Sequence, residues 1–155
     1  AHHHGHANLA IAWSGADLSI HLQTPGYNIL GFENVPSSEA EQELLARGMT
    51  TLETEGLLRF SPEAQCATVA ADVKTELIEG KHQAEDNHNE EPKGHTDFEA
   101  SYTLHCKRSD RLIVMDASRL FKAFPNFASI RVQWISDIRQ SAKTLTAEDS
   151  VLAFD

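Results

Sequence analysis

Hydrophobic and polar residues alternate from the start of the chain. Ala7, Leu9, Ile11 and Trp13 share one parity, and His6, Asn8, Ala10 and Ala12 share the other. A turn signal, "SGAD", follows, after which Leu18, Ile20 and Leu22 alternate with Ser19, His21 and Gln23. A two-residue Gly15-Ala16 loop sets Trp13 opposite Leu18, Ile11 opposite Ile20 and Leu9 opposite Leu22. This predicts a β-hairpin in that register. "TPGYNILGFENVP" predicts a turn-rich connection whose Tyr27, Ile29, Leu30 and Phe32 must tuck under another element. "SSEAEQELLARGMTTLETEG" predicts a helix. Ser38 and Glu41 form a capping box, Leu44, Leu45, Met49 and Leu52 make one apolar stripe, and Gly56 suits the end.

Two long strands come next. Val69, Ala71, Val73 and Leu77 are the expected core positions of the first; Phe98, Ala100, Tyr102, Leu104 and Cys106 are those of the second. Between them lies a polar, His- and acid-rich loop at about 79–95, a composition that cannot build a core of its own. "DASRLFKAFP" predicts a short helix with Asp116 as N-cap and Pro125 as its stop. Ile130, Val132 and Trp134 mark another strand, and "SVLAFD" a last one. The order β-β-α-β-β-α-β-β predicts an α+β fold: an antiparallel β-sheet with an N-terminal hairpin and two helices packed on one face. No internal repeat or linker divides residues 1–155, so a single domain is expected.

Charge narrows the function. With 23 acidic against 13 basic residues the net charge is −10, and no basic stripe is available for a nucleic-acid partner. An acidic surface instead concentrates cations. No apolar run is long enough to span a membrane. A chain opening on Ala1 fits a secreted protein after signal-peptide removal, and also fits a trimmed chain. In an oxidising compartment Cys66 and Cys106 would pair, closing a loop of about 40 residues worth roughly 4 kcal/mol. In a reducing one they would be two buried thiols. Cys106 is on the core parity of its strand and Cys66 is off it. A disulfide therefore requires a bulge, or a Cys66 that precedes the regular strand.

The candidate chemistry is metal binding. In an extended chain His2, His4 and His6 point the same way, spaced by roughly 6.5–7 Å, and can converge on one ion. Gly5 interrupts the histidine run and His6 is in phase with the hairpin, unlike an affinity tag. His95 and Asp97 share the polar face of their strand, where Asp97 either binds the ion or holds a histidine's second nitrogen. His82 and His88 lie in the acidic loop, where closing flexible chain around an ion makes binding weaker. His21 falls opposite Ala10, too far along the hairpin to join His6. Ala1-His2-His3 with a free amino terminus would offer four nitrogens in a plane to Cu(II) or Ni(II). Catalytic motifs are missing: there is no HExxH, no G-x-S-x-G and no phosphate-binding glycine loop, so no enzyme is expected.

Taken in order, "HHHGHANLAIAWSGADLSIHL", "PGYNILGFENVP", the cysteine at 66, the His/Asp-rich insertion, "HTDFEASYTLHC" and "LFKAFPNFASIRVQWI" resemble the ZrgA-like periplasmic zinc-binding proteins of Gram-negative bacteria. The resemblance implies a periplasmic protein that binds Zn²⁺ and supports zinc acquisition, alongside an import system's binding protein or transporter. Its motif positions fall here on His4 and Gly5 with His2 and His6 around them, on Glu33, on His95 and Asp97, and on Cys66 with Cys106. Asn34 stands where the pattern leads one to expect histidine after "GFE", and the insertion is short. Two other readings stay open: a non-metal interaction domain docking a partner through residues 25–36, and the amino-terminal Cu(II)/Ni(II) binder.

Overall fold

The computed structural model describes residues 3–54, 56–76 and 97–155. The hairpin has the register the alternation predicts: β1 (His6–Ser14) pairs with β2 (Asp17–Pro25) through Leu9–Leu22, Ile11–Ile20 and Trp13–Leu18. Gly15, at φ 58°, supplies the left-handed residue of the tight loop. On β2's other side lies β5 (Asp97–Cys106), followed by β4 (Cys66–Thr75). On β1's other side lie β7 (Ser129–Ile135) and then β8 (Gln140–Leu145). The six-stranded order is therefore β4-β5-β2-β1-β7-β8.

The antiparallel expectation holds for every neighbouring pair in this sheet except one. β1 and β7 run parallel, His6 beside Ser129 and Ile11 beside Trp134, so the sheet is mixed. The physical reason is the route of the chain. A parallel pair needs a long crossover, and the connection from β5 to β7 returns across the core before delivering Ser129 beside the start of β1. There the Gly5 carbonyl accepts from the amides of both Ala128 (2.7 Å) and Ser129 (2.9 Å).

A second layer covers one face. It contains α1 (Gly26–Leu30), α2 (Glu39–Glu53), α3 (Ser118–Ala123) and a small sheet ordered β3 (Arg59–Phe60), β6 (Val114–Asp116), β9 (Val151–Ala153). Among the described residues three α-helices stand where two were expected, because "GYNIL" forms a turn of helix in what reads as a loop. Leu9, Ile11, Leu18, Phe98, Ile130 and Val132 from the large sheet bury against Leu52, Met115, Leu120 and Leu152. The other face of the sheet is exposed along Asn8, Ala10, Ala12, Ser19, His21, Gln23, Ser101 and Thr103.

Local expectations fare unevenly. The Ser38–Glu41 capping box is present in both directions. Leu44, however, is exposed, and Gly48 takes the buried place against Ile29 of α1. Val69, the extra residue of a bulge between Thr68 and Ala70, is exposed; Ala71 is exposed too, although Val73 on the same parity beyond the bulge is buried as expected. That same bulge brings Cys66 directly opposite Cys106, and the two form a disulfide. Asp116 belongs to β6, and its Oδ1 accepts from the Ser118 amide (2.8 Å) one residue before α3's own cap, Ala117. Leu77 and the loop at 79–95 lie outside the described residues.

Tyr102 ties α2 to the sheet: its hydroxyl donates to the Leu52 carbonyl in the last turn of the helix. Burial, aided by the nearby Glu53 charge, pushes the phenol up to about 12. The unfolded chain ionises near 10, so this tyrosine's stabilising contribution is complete below pH 10 and is lost between pH 10 and about 12. Tyr102→Phe leaves a carbonyl without its partner and lowers stability by about 1–2 kcal/mol. Urea unfolding at neutral pH and at pH 11 checks this: the wild type loses more stability than the phenylalanine variant at the higher pH.

Candidate functional site

The opening histidines do not continue the strand. The His6 amide donates to the His3 carbonyl (3.1 Å), closing a four-residue turn over His3, His4, Gly5 and His6. Gly5 is at φ 90°, the positive value that a type II turn requires at its third residue. A Cβ there would also sit 3.0 Å from the Ala128 methyl. Glycine is therefore needed at this position for both backbone and packing reasons.

The turn sorts the histidines onto two sides. His3 and His6 come together, their ring centroids 6.1 Å apart and their planes nearly perpendicular. His4 points elsewhere. Its ring stacks on Tyr27, with centroids 4.2 Å apart, and its Nε2 donates to Glu33 Oε1 at 2.8 Å. The same-face arrangement of His4 and His6 expected from an extended chain thus gives way to His3 with His6, since β1 begins only at His6. His2 lies outside the described residues.

A cavity of about 460 Å³ opens beside His3 and His6, and Asp97 lines it too. The strand order explains the meeting. β2 separates β1 from β5, so the backbones of His6 and Asp97 stand two strand spacings apart, roughly 9.5 Å. An imidazole and a carboxylate can reach across that gap from either side. Ser129 Oγ lies 2.5 Å from His6 Nδ1. When Nδ1–H donates to this hydroxyl, Nε2 presents its lone pair to the cavity. Arg131, on β7 beyond β1, is also on the lining.

Chemically the cavity lining offers imidazole nitrogen and carboxylate oxygen, donor types that zinc accepts. Two imidazoles on one tetrahedral ion, bound at about 2.0–2.1 Å, hold their centroids roughly 5 Å apart. His3 and His6 are wider by about 1 Å than that estimate, a displacement that the exposed His3 can make. Among the described residues no three His, Cys, Asp or Glu side chains are already arranged to hold a metal ion. His82, His88 and His95 lie outside the described residues. His21 is exposed beside Ser101, opposite Ala10 as the register requires. The disulfide occupies the other end of β5, where Cys106 is nine residues from Asp97, roughly 30 Å along the strand.

Sequence reasoning gave His3 only the amino-terminal Cu(II)/Ni(II) role and did not single out Asn28. His3 was legible from glycine at the third position of a tight turn. Asn28 was not: it is fully buried, and it accepts from the Gly5 amide at 2.7 Å across 23 residues of sequence. The 25–36 stretch, a candidate docking loop, turns inward: Leu30 is buried, and Ile29 and Phe32 pack on the core.

No helix among the described residues is long and apolar enough to cross a membrane. None of the curated proteins compared with the chain matches it. The family comparison does find a match, described as ZrgA family zinc uptake protein and extending over residues 1–154. A chain matched along almost its whole length, with its histidine turn set against a carboxylate, belongs to the ZrgA family of zinc uptake proteins.

Proposed function

We propose that this chain is a single zinc-binding domain that holds Zn²⁺ in the cavity of His3, His6 and Asp97 and passes it on. The observation that carries this reading is the convergence on one cavity of two imidazoles and a carboxylate that lies 91 or more residues further along the chain. His2, beside His3, and His95, two residues before Asp97, are the proposed alternative ligands that can stand in for one of these three. His4, paired with Glu33, holds the turn from its other side and is the nearest reserve ligand. His82 and His88 contribute at most a weaker acidic-loop site.

The donor set suits the cargo. Imidazole nitrogen and carboxylate oxygen both bind zinc well, and three protein ligands leave a coordination position open. An open position suits handover to a partner in an import system, and it distinguishes the site from a closed structural one. The Cys66–Cys106 disulfide supports an oxidising compartment, and a periplasmic location is part of the proposal. The protein binds and releases; no bond-making chemistry is assigned to it.

Zinc added to metal-free protein should raise the melting temperature by mass action. The rise should shrink on acidification, because protons compete for imidazole nitrogens. Thermal melts with and without zinc at pH 7.5 and 5.5 check both. An unchanged melting temperature at pH 7.5 would favour the non-metal interaction domain. If copper or nickel raised it and zinc did not, the amino-terminal Cu(II)/Ni(II) reading would be favoured.

A further inference from the structure

We infer that Asn28 is the positioning residue of the zinc site, fixing the His3–His6 turn in the geometry that binds; this rests on the zinc reading above. Asn28 lies on α1 with no exposed surface. A buried amide is costly unless its hydrogen bonds are made, and this one makes three. Its Oδ1 accepts from the Gly5 amide at 2.7 Å, and its Nδ2 donates to the His6 carbonyl and to Thr24 Oγ1, each at 3.1 Å.

The targets of those bonds give the residue its role. Gly5 is the third residue of the histidine turn and His6 the fourth. Thr24 is on β2, the strand between His6 and Asp97, and lines the same cavity. One side chain therefore links the turn that carries two imidazoles to the strand that sets their distance from the carboxylate. Tyr27, the preceding residue, stacks on His4. α1 thus grips the turn from two directions.

Without Asn28 the Gly5 amide and His6 carbonyl lose their fixed partner, and the turn samples other conformations. Zinc must then order the chain as well as bind to it. Loss of a group that orients a metal ligand typically weakens metal binding by about 10–100-fold.

A double-mutant cycle separates positioning from general stability. Zinc dissociation constants are measured by competition with a chromophoric chelator for wild type, Asn28→Ala, His3→Ala and the double variant. The melting temperature of each is measured without metal to confirm folding. Asn28→Ala should weaken binding by about 10–100-fold in the wild-type background and by less than about threefold once His3 is gone. Equal losses in both backgrounds, or no loss in the first, would overturn the role. Should Asn28→Ala fail to fold, Asn28→Asp replaces it in the cycle, keeping the acceptor for Gly5 and removing both amide donors, with the same two outcomes. Wild-type zinc affinity in His3→Ala would overturn the ligand set itself, and the role of Asn28 with it.

Discussion

Replacing His3 and His6 together with alanine should abolish high-affinity zinc binding while leaving the fold intact. The magnitude follows from ligand arithmetic. A structural zinc site with four protein ligands is worth about 10–16 kcal/mol, or roughly 2.5–4 kcal/mol per ligand, and the same share is taken for each of the three ligands here. Each imidazole then accounts for a factor of about a hundred or more in affinity. Both side chains are exposed, so their removal creates no cavity, and the metal-free melting temperature should move little. His4→Ala is the informative control. His4 faces Tyr27 and Glu33 and does not line the cavity, so its loss should weaken zinc by a much smaller factor. Isothermal titration of the double variant, of His3→Ala and of His4→Ala against wild type checks the ordering. Equal losses for His4 and His3 would place the ion on the other side of the turn.

The second large effect is structural. Cys66 and Cys106 close a loop across 40 residues of sequence and join the open ends of β4 and β5. Removing that link should cost about 4 kcal/mol on the chain-entropy account. For a chain of this length that lowers the melting temperature by roughly 10 °C. Calorimetry of the Cys66→Ser/Cys106→Ser variant measures it. Zinc affinity of the folded variant should change by less than about threefold, because the disulfide and Asp97 occupy opposite ends of β5 and distant sites behave independently.

Much of the fold was legible in local pattern. The hairpin register follows from apolar residues two apart on strands joined by Gly15-Ala16, and the α2 start follows from Ser38 and Glu41. The conflict between the parities of Cys66 and Val69 required an irregularity, and the bulge after Thr68 supplies it. The parallel pairing of β1 with β7 was not legible, since it depends on how more than a hundred residues of intervening chain return. α1 was hidden because five residues of helix carry too little periodicity to detect.

The site shows the same division. Histidines at 2, 3, 4 and 6 suggested metal binding, and alternation placed His4 on the side of His6, whereas the fold brings His3 beside His6. The turn at Gly5 is a local signal that outranks alternation, and it exchanges His4 for His3 beside His6. Asp97 was legible as a candidate, whereas its meeting with His6 is a product of sheet order. Asn28 left no sequence signal. Its worth comes from partners that only the folded chain brings near.

The most direct test is anomalous X-ray scattering at the zinc edge from crystals of the zinc-loaded protein. One anomalous peak within bonding distance of His3, His6 and Asp97 is the predicted result. A peak between His4 and Glu33 with the His3–His6 cavity empty, or no ordered zinc at all, would contradict it.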